Sequence, residues 1–215
     1  MRPTLASLRV LAAVALVGVA ATGERARAEA GETPKRIVGV NAGLLMGGTG
    51  RFKTVDAFGD CGPLCGDGGP VSYTERARAL VGLQTMFRVG PRFQLGYVVG
   101  VATAWQLRLG GGERVDLGAR FDIGIAAEYV RPLGRTALVL GPQIGVGFAG
   151  RGGVTGLGLQ LQVNAGFQTS LGALVVRTTV GYQLDVLLFA DADSSTTLSE
   201  IGGRALFVVG FFFGS

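Results

Sequence analysis

Residues 117–129, LGARFDIGIAAEY, alternate between two kinds of side chain. The odd positions are apolar, whereas Arg120, Asp122 and Glu128 all lie at even positions. A period of two is typical of a β-strand that has two different faces. The segment therefore predicts a strand with one apolar face and one face that carries charge.

The same alternation recurs in eight segments, and the helical period finds no comparable match after residue 35. These segments of about 12–16 residues are longer than soluble strands, which average five or six, and long enough for a tilted strand to cross a bilayer. We expect them to be transmembrane strands, and they cover 36–47, 77–89, 92–105, 115–130, 136–149, 156–169, 173–188 and 200–213.

The connections between these segments alternate between long and short. The long ones are 48–76, 106–114, 150–155 and 189–199, and the short ones are 90–91, 131–135 and 170–172. Outer-membrane barrels have short periplasmic turns and longer outer loops, and an even strand count leaves both chain ends on the short-turn side. The sequence therefore predicts an all-β fold, an eight-stranded antiparallel up-and-down transmembrane β-barrel over residues 36–215.

Composition indicates which face points inward. The chain is 48% hydrophobic and only 16% charged, against about 25% charged in an ordinary domain. We therefore expect the apolar face to contact lipid and the polar face to fill a narrow interior. The charged residues assigned to this lumen, five of each sign, are Arg78, Arg88, Asp116, Arg120, Asp122, Glu128, Arg177, Asp185, Glu200 and Arg204.

Two interpretations of this charged interior remain open. Because unpaired buried charge is costly, the pattern favours a plug of Arg–carboxylate pairs and Gln amides. The alternative is a charged constriction that conducts small ions, since inward-facing Gly residues would leave room for water.

Aromatic residues near the segment ends are assigned to interfacial girdles, in which aromatic rings lie at the level of the lipid headgroups. The assigned residues are Phe87, Phe93, Trp105, Tyr129, Phe148, Phe167, Phe211 and Phe213. Trp105 and Phe148 lie at loop ends, whereas Phe87, Phe93, Tyr129 and Phe167 lie near short turns.

The first 28 residues have the features of a secretory signal peptide. Arg2 and Arg9 precede an apolar run over 10–21, and small residues at Ala26 and Ala28 form an A-x-A site. About 12 apolar residues are too few to span a bilayer as a helix. We predict cleavage after Ala28, with 29–35 as a periplasmic lead-in to the barrel.

Cleavage of this leader lowers the net charge. The whole chain has a formal charge of +5, and residues 1–28 carry four Arg and one Glu, so about +2 remains (5 − 4 + 1). No basic patch with interleaved aromatic residues remains in the mature chain, so the sequence gives no indication of nucleic-acid binding.

The connection 48–76 is the longest, and it contains both cysteines of the chain, Cys61 and Cys65. In an exported protein this pair favours a disulfide that staples the loop, with free thiols as the alternative. Arg51, Phe52 and Lys53 make the same loop a candidate contact surface for an extracellular partner. The alternative is a solvated loop that binds nothing.

Enzymatic and cofactor-binding functions have little support in the sequence. The chain contains no His, so a Ser–His or Asp–His catalytic arrangement cannot form. The Gly-rich stretch 145–150 matches a dinucleotide motif, but the following residues predict a strand, and no acidic residue occurs between Glu128 and Asp185. We expect no enzymatic activity, no cofactor and no metal site.

The last segment, ALFVVGFFFGS, places Phe207, Val209, Phe211 and Phe213 at alternate positions. Together with the leader and the eight segments, it resembles the small outer-membrane β-barrels of the OmpA, OmpX and OmpW type. Gly214 and Ser215 after the last Phe depart from the family's usual aromatic end.

The resemblance implies a location in a Gram-negative outer membrane, in contact with its lipid, and insertion by the machinery that reads the final strand. It is architectural and points to no individual member. From the sequence we expect a non-catalytic membrane protein with a structural or surface-interaction role. The alternative is a narrow pore or conduit for small solutes or ions.

Overall fold

The computed structural model describes residues 35–56, 70–103, 105–151, 154–191 and 197–214. None of these residues forms a helix of the length and apolarity needed to cross a membrane. The strands are β1 (Arg36–Asp56), β2 (Val71–Glu75), β3 (Arg78–Gly90), β4 (Phe93–Ala102), β5 (Gln106–Leu109), β6 (Arg114–Asp116), β7 (Ala119–Leu133), β8 (Thr136–Arg151), β9 (Val154–Leu171), β10 (Leu174–Asp191) and β11 (Thr197–Gly214).

Eight of the strands form a closed antiparallel ring in the order β1–β3–β4–β7–β8–β9–β10–β11. The first and last strands close the ring, with Ile37 opposite Gly214 and Thr54 opposite Leu198. Each ring strand pairs with its neighbours along the chain, as in an up-and-down barrel. The predicted all-β, eight-stranded barrel is confirmed.

Several predicted loops are shorter than expected because the strands continue into them. The predicted loop 48–76 is wrong at both ends, since β1 extends to Asp56 and β2 begins at Val71. Strands β5 and β6 occupy most of the predicted connection 106–114. Cys61, Cys65, the predicted signal peptide 1–28 and all of the lead-in except Lys35 lie outside the described residues.

The two faces of each ring strand differ as the sequence predicts. On β7, Arg120 is 0% exposed inside the barrel, whereas Ile125 is 63% exposed on the outside. The outer wall is a belt of Leu, Ile, Val and Phe side chains, and the inner wall carries Arg, carboxylate and Gln side chains. This arrangement fits a lipid environment and not water.

Four neighbouring chain segments reverse their inward face at one level, towards the loop end of the barrel. The register of β1 shifts between Met46 and Thr49. Breaks at 76–77, after Ala102 and at 117–118 separate β2 from β3, β4 from β5, and β6 from β7. Gly118 adopts a φ of 79° at the last break. One extra residue exchanges the two faces of a strand, so beyond this level other residues point inward.

Buried apolar side chains close both ends of the lumen. A loop-end apolar layer contains Phe52, Tyr73, Trp105, Leu107, Leu109, Leu117, Ala149, Leu187, Phe189 and Leu198. A turn-end apolar layer contains Ile37, Met86, Ala126, Val175 and Phe212. Between these two layers the inner wall is mainly polar and carries a third, smaller apolar cluster of Leu45, Ala102 and Leu206.

Interior glycines make room for the larger side chains of adjacent strands. A Cβ at Gly147 would lie 2.7 Å from Nη2 of Arg120 and 2.8 Å from Oδ1 of Asp122. A Cβ at Gly156 would overlap the ring of Phe189. Glycine on one strand is therefore matched to a large side chain on the next.

We expect Gly147→Ala to destabilise the barrel by about 1–3 kcal/mol, because the new methyl group displaces the Arg120–Asp122 pair. Urea unfolding of the refolded protein in lipid vesicles measures the change. Gly111→Ala is the matched control, since no heavy atom lies within 4 Å of that Cβ position, and its effect should stay within about 0.5 kcal/mol. Equal midpoints for the two variants would contradict this packing.

Candidate functional site: the charged interior

Trp105 lies at the centre of a buried charged cluster near the loop end. The guanidinium carbons of Arg78, Arg120 and Arg204 lie 5.0, 5.8 and 5.2 Å from its ring centroids. Its indole Nε1 donates a hydrogen bond of 2.7 Å to Oε2 of Glu75. These distances are within the range of cation–π attraction, which strengthens when the cation is desolvated.

Asp185 on β10 joins two of these arginines. Arg120, across the lumen on β7, donates hydrogen bonds from Nη1 and Nη2 to its two carboxylate oxygens, at 2.8 and 2.6 Å. Nη1 of Arg204 lies 2.8 Å from Oδ2. Arg120 also donates from Nε to Asp122 at 2.7 Å. A two-bond guanidinium–carboxylate contact fixes direction as well as distance.

Glu75 and Glu200 complete the cluster. Oε1 of Glu75 lies 3.2 Å from Nε of Arg204, and its Oε2 lies 3.6 Å from Nη2 of Arg78. Glu200 lies 3.6 Å from Nη2 of Arg204. We call Glu75, Arg78, Arg120, Asp122, Asp185, Glu200 and Arg204 the loop-end cluster; its three cations and four carboxylates are all at most 7% exposed.

Tyr73 connects this cluster to the apolar layer above it. Its hydroxyl donates a hydrogen bond to Oε1 of Glu200, and its ring packs 5.1 Å from that of Phe52. Strand β2 lies above the apolar belt, because its outward residues are Ser72 and Thr74. Burial and the neighbouring Glu200 raise the pKa of Tyr73 above its ordinary value, so the phenol keeps the proton that it donates.

A second ion pair crosses the lumen near the short-turn end. Nη1 of Arg177 on β10 lies 2.9 Å from both carboxylate oxygens of Glu128 on β7. Nη2 of Arg177 donates to Gln168 at 2.8 Å, and its guanidinium carbon lies 4.9 Å from the ring centroid of Phe212. We call Arg177 and Glu128 the turn-end pair.

Amide side chains line the lumen between the cluster and the pair. A cavity of about 60 Å³ lies here, bordered among others by Gln143, Gln160, Gln162, Asn164 and Gln183. Gln162 donates to Asn164 at 2.7 Å. A polar space of this size holds a few water molecules. The interior is therefore polar in the middle and closed by larger side chains above and below.

The ten charged residues assigned to the lumen do not all share one environment. Six of them belong to the loop-end cluster and two form the turn-end pair. Arg88 is partly exposed and donates to the carbonyl oxygens of Gly90 and Pro91 in the turn. Asp116 is partly exposed and accepts a hydrogen bond of 2.9 Å from the backbone N–H of Gly118.

Sequence reasoning missed Glu75 and Tyr73, because both fell inside the predicted loop 48–76. It also placed Phe52 in the exposed part of that loop, whereas the Phe52 side chain is 0% exposed in the loop-end apolar layer. The alternation of Phe52 between Arg51 and Lys53 was the available signal for a strand, although the register shift after Met46 places Phe52 on the opposite parity from the inward residues Ile37 and Leu45.

The assignment of Trp105 to the outer girdle is wrong, because the Trp105 side chain is 0% exposed and faces the lumen. Continuing the alternation of β4 would point Trp105 outward, and the break between β4 and β5 reverses it. The other assigned aromatic residues lie on the outer wall. Some of their rings meet in pairs there, as in Phe93 with Tyr129 at 5.5 Å.

Trp105 is the chain's single tryptophan, so fluorescence measures its position directly. In vesicles of lipid with brominated acyl chains, we expect little quenching of the native protein, because its indole is shielded from lipid by the barrel wall. The W105F/F148W variant moves the indole to the outer wall, and its emission should be quenched strongly. Equal quenching of the two proteins would place Trp105 on the lipid face.

Comparison with known proteins gives matches at the level of structure. No protein-family model matches the sequence, and no curated protein matches it. The outer membrane protein OprG from Pseudomonas aeruginosa is similar with a TM-score of 0.55 at 13% identity, covering 85% of this chain and 96% of that one.

Two further outer-membrane structures are more distant. Neisserial surface protein A (NspA) has a TM-score of 0.43 at 10% identity, over 80% of this chain and 96% of its own. The outer membrane protease OmpT from Escherichia coli has a TM-score of 0.40 at 9% identity, over 88% and 100%. The similarity to OprG supports a shared fold, the architecture of a small outer-membrane β-barrel.

Proposed function

We propose that this protein is a non-catalytic outer-membrane β-barrel with a closed interior and a structural or surface-interaction role. The observation that carries the proposal is the pair of ion bridges that cross the lumen from β10 to β7. Asp185 holds Arg120 at one level and Arg177 holds Glu128 at another, and the side chains of all four are at most 6% exposed.

The outer wall and the chain's direction support the location. The exposed belt of Leu, Ile, Val and Phe suits the hydrocarbon core, and the fold is similar to that of OprG. Short turns face the periplasm in such barrels, so the loop end would face the exterior. The proposed route to the outer membrane begins with export through the predicted signal peptide. It ends with recognition of the final strand, on whose outer face Phe211 and Phe213 are exposed.

Physical closure favours this role over the alternative of a narrow conduit. A solute entering from outside would meet the loop-end apolar layer, then the cluster around Trp105, before reaching the 60 Å³ cavity. Opening the cluster would leave charges without partners in a desolvated space, which is costly. The polar cavity would serve conduction only if that cluster opened.

The interior carboxylates also suit a structural role better than catalysis. Asp122, Asp185 and Glu128 each form an ion pair with an arginine within 3 Å. A general acid or base must instead exchange its proton with a substrate that reaches it. These carboxylates tie strands together, and the cavity that Asp122 and Glu128 border has a volume of about 60 Å³, which is room for a few water molecules.

The loop end provides a surface for an extracellular partner. Arg51 and Lys53 are exposed on the outer face of β1 above the apolar belt, beside a shallow concavity bordered by Ser199 and Ile201. Basic side chains beside an exposed Ile suit a partner with an acidic, partly apolar surface. The surface includes the described part of the predicted loop 48–76.

Single-channel recording of the refolded protein in a planar bilayer tests the closed interior. We expect the native barrel to be silent and the R120A/D122A variant to conduct, because the variant removes one cation and one anion and leaves Asp185 with Arg204. The control variant E113A/R114A also removes one anion and one cation, both of them exposed, and it should stay silent. Steady, salt-dependent steps from the native barrel would support the conduit instead.

A further inference from the structure

Five exposed cations lie at the short-turn end of the barrel, and the functions above use none of them. We call this set the basic arc: Lys35, Arg36, Arg92, Arg131 and Arg135. They lie at the start of β1, in the β3–β4 turn and around the β7–β8 turn.

Backbone hydrogen bonds hold these segments side by side. Arg88 N–H donates to Lys35 O at 2.8 Å, and Val130 N–H donates to Arg92 O at 2.8 Å. The cations therefore follow one continuous half of the rim, from β1 to β8. The described residues of the β9–β10 turn on the other half, 170–174, are Ser, Leu, Gly, Ala and Leu.

Carboxylates do not neutralise this arc within the part of the chain that the structure describes. Glu128 is the described carboxylate nearest this end along β7, and it is buried and paired with Arg177. Exposed like charges on adjacent strands repel one another, and an anion that contacts several of them relieves that repulsion.

Two arginines of the arc lie against girdle aromatics. The guanidinium carbon of Arg36 lies 5.5 Å from the ring centroid of Phe87, and Nη1 of Arg92 lies 3.4 Å from the hydroxyl of Tyr129. Phe87 and Phe93 are exposed on the lipid-facing wall. The charged groups thus lie where acyl chains give way to headgroups.

We propose that the basic arc binds the headgroup phosphates of anionic phospholipids. Guanidinium groups bind phosphate oxygens with two parallel hydrogen bonds, and the adjacent aromatic wall accommodates the acyl chains of the same lipid. The assignment of these lipids to the periplasmic leaflet rests on the orientation proposed above. Lipid binding itself does not depend on that orientation.

The test uses purified, folded protein in detergent with equal amounts of phosphatidylglycerol and phosphatidylcholine. Native mass spectrometry then counts the lipids that stay bound. We expect the native barrel to retain phosphatidylglycerol preferentially at low salt. The R92Q/R131Q/R135Q variant should lose this preference by about fivefold per removed cation, the equivalent of about 1 kcal/mol each.

The matched control is R76Q/R108Q/R114Q, which removes three exposed arginines from the opposite end. It should retain the native preference. Equal retention of the two lipids by the native barrel, or equal loss in both variants, would overturn the proposal. A conducting native barrel that still prefers phosphatidylglycerol would overturn the closed interior and leave the basic arc intact.

Discussion

Two guanidinium–carboxylate contacts cross the lumen, and the rest of the interior is arranged around them. Strands β7 and β10 lie on different sides of the ring, so the contacts Arg120–Asp185 and Arg177–Glu128 tie parts of the wall that share no backbone hydrogen bonds. A charge inside a narrow barrel cannot reach bulk water and must find a partner there. Glycines such as Gly147 keep the space that these long side chains need.

The closed lumen that we propose rests on this pairing together with the two apolar layers. The polar middle, with its small cavity, lies between the loop-end cluster and the turn-end pair, and each of these contacts an aromatic ring, Trp105 or Phe212. The barrel interior thus resembles a protein core in which each buried arginine of the cluster and of the pair lies within 4 Å of a carboxylate. The interaction surfaces that we propose lie instead at the two ends of the barrel, where cations are exposed.

The barrel could be predicted from the sequence because the period-two pattern is strong in every ring strand. Inward residues on β7 and β10, such as Arg120, Asp122 and Asp185, follow from alternation alone. The error at Trp105 arose where alternation was extended across a break in the strand. Glu75 was missed for a related reason, since β2 lies beyond the break at 76–77. Such irregularities depend on pairing between distant strands, and Gly47, Gly48 and Gly118 were the local signals.

A double-mutant cycle on Arg177 and Glu128 tests most directly whether cross-lumen pairs hold the barrel together. Urea unfolding in vesicles would give the stability of R177M, E128Q and the double variant. Each single change should cost about 3–5 kcal/mol, because it leaves one buried charge without its partner. The double variant should cost at least about 2 kcal/mol less than the sum of the two. Additive effects would contradict the account, since they would mean that the two side chains do not interact.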